Sequence, residues 1–90
     1  MIKINKEKSR AEAIEDDKLI GFCEYKIKGG TIDIYHTEVD KAYGGRGIAN
    51  KLLDEVVNLA RNENQKIFPT CSYVAKKFNE DEKYEDVDAR

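Results

Sequence analysis

Gly44-Gly45-Arg46-Gly47 is the segment whose residue types point most directly to chemistry. Glycine has no Cβ, so its backbone N–H can approach a bulky anion that other residues would hold away. A helix beginning at Ile48 would add four unpaired amides and the positive end of its dipole at the same place. Arg46 stands inside the loop, where its guanidinium either reinforces a phosphate contact or only solvates the turn. The segment fits the pyrophosphate of a nucleotide-containing cofactor, and it also fits three glycines that simply permit a tight strand-to-helix turn. Two other phosphate loops are excluded by spacing. Asn50 stands where a dinucleotide fingerprint needs its third glycine, and Gly-Lys-Ser/Thr occurs nowhere in the chain.

Cys71 and His36 are the other candidates. A cysteine thiolate is a strong nucleophile, the positive end of a helix favours thiolate over thiol, and Cys71 falls where a strand should yield to a helix. A small buried hydrophobe is the competing role, and it is the expected one for Cys23. Histidine is the side-chain type that titrates near neutrality, which makes His36 the candidate general base. Simple alternation places His36 on the face of Ile32 and Ile34, with Glu38 beside it to orient it and with Asp33 and Tyr35 on the opposite face. One histidine and two distant cysteines supply no metal-ligand set, and no G-x-S-x-G elbow marks a serine nucleophile.

The elements that must position these groups follow from periodicity. Ile2 and Ile4 alternate with polar neighbours, and a weaker alternation over Arg10 to Glu15 ends at the charged turn Asp16-Asp17-Lys18, giving two short strands. Leu19, Cys23, Tyr25 and Ile27 share one parity, Gly29-Gly30 supplies a hairpin turn, and Ile32 and Ile34 continue on the far side. From Ile48 the apolar residues recur at Leu52, Val56, Leu59 and Ala60, widened by Leu53 and Val57, with Asp54 facing water. This predicts a helix of about four turns ending near Asn62 to Asn64. Lys66 to Cys71 reads as a short strand that Pro69 keeps out of a central ladder. Ser72 is the expected cap of a last helix carrying Val74, Ala75 and Phe78, and Glu82 to Val87 adds a turn before a fraying end. The order fits an α+β or mixed α/β layer, antiparallel at first and joined in parallel by the strand after the helix.

Composition bounds the rest. Ninety residues, with 16 basic and 18 acidic side chains, make one small domain over residues 1–90. The acidic excess lies entirely in the last fifteen residues, which read as a solvated end. Balanced charge leaves no electropositive stripe, so nucleic acid is not an expected partner. No apolar run approaches the length of a membrane span, the start lacks a signal peptide's apolar region, and two cysteines are too few for a crosslinked secreted scaffold. The expected location is cytoplasmic.

Val39-Asp40-Lys41-Ala42-Tyr43-Gly44-Gly45-Arg46-Gly47-Ile48-Ala49-Asn50-Lys51-Leu52-Leu53 resembles the acetyl-CoA-binding segment of the GNAT superfamily of N-acetyltransferases. That signature is Arg or Gln, two residues, Gly, one residue, then Gly or Ala. Gly44, Gly47 and Ala49 take the specified places, and Gly44 lacks the side chain of the first. His36-Thr37-Glu38-Val39 and Pro69-Thr70-Cys71-Ser72-Tyr73-Val74 are similar to a small GNAT-like subgroup of about this length.

The resemblance implies an α+β fold with a mixed, mostly antiparallel sheet flanked by helices. It implies acetyl-CoA as cosubstrate, with amides from Gly45 to Ala49 on its pyrophosphate, Arg46 and Ile48 within that turn, and pantetheine along a splayed strand from Ile34 to Val39. It places Cys71 near the acetyl group, as transient acceptor or pocket lining, and Tyr43 and Tyr73 beside the cofactor, Tyr73 as a proton donor to the departing thiolate. From residue chemistry alone, and not from the resemblance, His36 is the candidate general base, and Glu38 either orients it or receives a substrate proton through water. The acceptor would be an amine, on a small molecule or a protein, in a site left open or completed by a partner chain, because longer family members have additional walls. A CoA-binding or partner-binding module without turnover is the competing expectation.

Overall fold

A computed structural model describes the whole chain, residues 1–90. Strands β1 (Ile2–Asn5), β2 (Arg10–Glu15), β3 (Lys18–Lys28) and β4 (Thr31–Val39) pair antiparallel in sequence order. Helix α1 (Ile48–Asn62) follows, and β5 (Lys66–Pro69) then joins β4 in parallel at the sheet edge, before helix α2 (Ser72–Glu80). The expected mixed, mostly antiparallel sheet is the observed one. Pro69 sits at the end of an edge strand, where its missing N–H interrupts no ladder.

The Gly29-Gly30 turn has φ of 54° and 84°, both in the left-handed region that a tight hairpin needs and that costs glycine little. Helix α1 lies across the sheet and buries Leu52, Leu53, Val56, Val57 and Ala60 against Ala11, Ala13, Cys23, Ile32, Ile34 and Ile67. Each such leucine or valine contributes about 1.5–3 kcal/mol. Close approach requires a glycine at one point, because a Cβ on Gly21 would stand 3.1 Å from the Glu38 carbonyl oxygen and 3.4 Å from Leu52 Cδ1.

Two irregularities overturn the simple alternation. Between β2 and β3 the register slips beside Ile20, so Ile20 turns into the core and Leu19, expected to share the face of Cys23, points outward. Between β3 and β4 Glu24 pairs with His36 while Tyr25 pairs with Ile34, leaving Tyr35 as an extra residue. A one-residue slip exchanges faces. Thr37 therefore turns inward opposite Cys23, whereas His36 and Glu38, expected on the face of Ile32 and Ile34, stand on the other face, the same one as Asp33.

Two further expectations are corrected near the C-terminus. Cys71 and not Ser72 is the N-cap residue of α2, and no side chain caps that end. Nor is the end of the chain a solvated tail. A 3-10 segment over Glu82–Val87 buries Tyr84 to 1% and Val87 to 2% exposure. Asp88 bridges Ile67 in parallel, Ala89 N–H donates to the Ile67 carbonyl at 2.9 Å, and Arg61 grips Asp86 at 2.9 and 3.0 Å.

Candidate active site

Strand β5 pairs with β4 only from Thr31 to Ile34, while β4 continues to Val39. Beyond Ile34 the two strands part, and the backbone of β4 on that side has no strand beside it. Three contacts fix the vertex. Cys71 N–H donates to the Ile34 carbonyl at 2.8 Å, Thr70 Oγ1 donates to Asp33 Oδ1 at 2.6 Å, and Cys71 Sγ donates to Thr37 Oγ1 at 3.6 Å. The free edge leads from this vertex through Val39 to the glycine loop.

There a short 3-10 turn, Lys41–Tyr43, capped by Asp40 through Ala42 N–H, delivers the chain to Gly44. Gly45 and Gly47 have φ of 78° and 70°, and a Cβ at either would meet nothing within 4 Å, so the loop opens outward. The first α1 bond runs from Lys51 N–H to the Gly47 carbonyl at 3.1 Å, and amides from Gly45 through Asn50 donate to no backbone carbonyl. Such a row of unsatisfied donors at a helix N-terminus is an anion cradle. Arg46 is turned aside: its Nη1 donates to Glu15 Oε2 at 2.9 Å and its guanidinium lies 5.2 Å from the Tyr43 ring centroid. Of the surface clefts, about 250–350 Å³, one reaches Arg46, Ile48 and Lys51 at the start of α1, and none is lined by Cys71 or Tyr73.

On the inner face the Thr37 hydroxyl links the two cysteines, taking a bond from Cys71 and donating to Cys23 Sγ at 3.6 Å. Burial pushes the Cys23 thiol from 9.0 up to about 11, against the lowering effect of that bond. Tyr73 is also raised, first by burial and then by the negative charge of Asp54. Burial together with its bond to Asp54 raises Tyr84 further still. In each case the unfolded chain releases a proton that the folded chain keeps. The resulting stability is therefore whole below pH 9 and declines as pH rises through 11. Urea midpoints should fall across that range, and Cys23→Ala should flatten the part between pH 9 and 10.

The structure brings Cys71, Tyr73 and the cradle to one side of the sheet but sets His36 and Glu38 on the other. There His36 Nε2 lies 3.4 Å from Glu38 Oε1 and the His36 ring packs 5.9 Å from that of Phe22. Sequence reasoning placed Asp54 in water and missed its role. Its carboxylate accepts from Tyr84 Oη at 2.6 Å and from Asn50 Nδ2 at 3.1 Å, tying the first turn of α1 to the C-terminal segment. Thr37 and Thr70 were equally hidden, because the bulge at Tyr35 and the pairing of β4 with β5 decide which way they point, whereas Asp33 stands on the face that alternation gave it.

The family profile described as GCN5-related N-acetyl-transferase matches residues 10–87. The chain belongs to the GCN5-related N-acetyltransferase family. Among relatives, Protein NATD1 of Danio rerio is 40% identical over 60 residues, covering 67% of this chain and 54% of the relative. The chain spans about half the length of the curated relatives it matches. The solution structure of a GCN5-like protein from Staphylococcus aureus superposes with a TM-score of 0.77 at 29% identity, covering 97% of this chain and 85% of that one. N-acetylglutamate synthase from Neisseria gonorrhoeae, solved with coenzyme A and N-acetyl-glutamate, shares the fold over 88% of this chain and 21% of its own, with a TM-score of 0.68 at 17% identity. In this GCN5-related chain the splayed strands and the glycine loop fall inside the matched region.

Proposed function

We propose that the chain transfers acetyl from acetyl-CoA to a primary amine, on a small molecule or a protein. The observation that carries this reading is the continuity of two unpaired backbone surfaces, the cradle amides Gly45 to Asn50 and the free edge of β4 beyond Ile34. The first suits a pyrophosphate, and the second suits the amide-bearing arm attached to it. Coenzyme A in the similarly folded N-acetylglutamate synthase supports that choice of anion.

With the thioester at the vertex, an amide of the β4 edge polarises its carbonyl. The amine forms the N–C bond, the C–S bond breaks, and the thiolate takes a proton from Tyr73, which burial and Asp54 keep protonated until then. Transfer is direct. An acylated Cys71 would need a base within reach, and the Cys71 thiol instead donates to Thr37, a hydroxyl that itself donates onward to Cys23. Cys71→Ala should therefore keep turnover within about tenfold of the parent chain. A loss of more than a hundredfold, with an acetyl adduct on the Cys71 peptide of the parent chain, would convert the mechanism to a covalent one.

Calorimetric titration with acetyl-CoA and with inorganic phosphate, followed by mass spectrometry across an amine panel, tests the function. Equal affinity for the two ligands would reduce the cradle to an anion site. Tight acetyl-CoA binding without product would leave a CoA-binding module.

A further inference from the structure

We infer that the cleft at the C-terminal end of α1, between Tyr25 and the Lys6–Glu63 ion pair, binds a free α-amino acid with an aliphatic side chain. This site lies outside the transferase reading, since the fifteen residues of α1, about 22 Å of helix, separate it from the glycine loop.

The cleft forms where β3 runs past the end of α1. Cys23, Tyr25 and Ile27 alternate onto the face that α1 covers, but the helix stops at Asn62 and leaves Ile27 53% exposed. A space of about 250 Å³ opens there, lined by Ile27, Leu59, Tyr25, Ser9, Lys6 and Glu63. Tyr25 N–H donates to the Ser9 carbonyl at 3.0 Å, which holds the turn between β1 and β2 beside the ring. Tyr25 is only 3% exposed, yet its hydroxyl neither donates to nor accepts from any group of the chain. Nor is that hydroxyl sealed from the outside, as the unpartnered Gln65 amide oxygen is. A phenol packed so deeply normally finds a partner. Here the cleft is the side from which one can come.

The charges at the mouth select the partner. Lys6 Nζ donates to Glu63 Oε2 at 2.9 Å, joining the β1–β2 turn to the C-cap residue of α1. Glu63 Oε1 accepts nothing from the chain, and the Lys6 ammonium has two further protons to give. With opposite charges side by side, a ligand that is only an anion or only a cation is repelled by one of them, whereas a zwitterion is attracted by both. The carboxylate of an amino acid takes Lys6 and the Tyr25 hydroxyl, which burial keeps protonated and therefore a donor. Its ammonium takes Glu63 Oε1, at the negative end of the α1 dipole. Its aliphatic side chain covers Ile27 and Leu59, the apolar walls.

Titration of the parent chain with L-leucine, followed by backbone amide resonances, tests the assignment. Saturable shifts should centre on Ser9, Tyr25, Ile27 and Glu63, with Gly45 to Asn50 unmoved. L-leucinamide, which lacks the carboxylate, and 4-methylpentanoate, which lacks the ammonium, should each bind at least about tenfold more weakly. Tyr25→Phe keeps the ring in the core and should weaken L-leucine about tenfold. Lys6 is exposed, so Lys6→Met leaves the core intact and should weaken it by a similar factor. No saturable response to L-leucine, single-charge analogues that bind as well as it does, or undiminished binding by both variants would overturn the assignment. Acetyl-CoA affinity on the same samples should be unaltered in both variants. Failure of L-leucine to bind therefore leaves the transferase reading standing, and failure of acetyl-CoA to bind leaves the amino-acid site standing.

Discussion

Gly47→Val should raise the dissociation constant for acetyl-CoA at least about tenfold and lower the melting temperature by several degrees. Gly47 is the N-cap of α1 at φ 70°, a conformation that costs an L-residue about 1–2 kcal/mol and a β-branched one more. A Cβ there meets nothing within 4 Å, so packing does not oppose the substitution. The strain is relieved instead by shifting the start of the helix, which misaims the amides that make up the cradle. Gly44→Arg is the informative contrast. Gly44 has φ −64°, open to any residue, and its Cβ would lie 3.4 Å from the Lys41 carbonyl oxygen, an ordinary contact. Restoring the side chain that the family signature carries at this place should tighten acetyl-CoA by up to about tenfold through a charge-assisted bond. Titration calorimetry on the two variants, with thermal melts alongside, gives both readings. If valine at position 47 left affinity intact, the cradle would not be the cofactor's anchor.

Tyr84→Ala should cost about 3–5 kcal/mol, a large fraction of the roughly 5–13 kcal/mol available to a chain of this size. The side chain is 1% exposed, stacks on Phe78 with ring centroids 5.2 Å apart, and donates to Asp54. Tyr84→Phe keeps the packing and loses only the hydroxyl, so about 1–2 kcal/mol should go. A frayed tail would give near-zero effects for both, as the exposed neighbour Glu85→Ala should. Urea denaturation of the three variants separates these cases. Because Asp54 also holds Asn50 in the first turn of α1, Tyr84→Phe should weaken acetyl-CoA binding slightly as well.

Local order was legible in the residues. The Gly29-Gly30 turn, the α1 stripe and the glycine run before it each depend on neighbours within a turn or two of chain. For such features, backbone sterics and the spacing of apolar side chains are sufficient. The motif from Val39 to Leu53 was legible for the same reason, since an amide cradle is a property of one contiguous segment. The facing of β4 was not. Alternation assumes an unbroken ladder, and the extra residue at Tyr35 exists only because β3 and β4 pair in one register on either side of it. That single insertion moved His36 and Glu38 away from Cys71 and brought Thr37 in.

Asp54, Tyr84 and the Asp33–Thr70 clamp were hidden for a related reason. Each joins residues some 30 or more positions apart, and charge patterning could only mark their carboxylates as solvated. The chain's own order of residues thus dictated its elements, the family motif and the glycine turn before α1, all of which arise from short-range backbone geometry. Which side chains meet around the splay was settled by strand register and by the docking of the C-terminal segment. Those are long-range choices made by burial, where the free energy of closing the core selects among arrangements that local periodicity leaves equal.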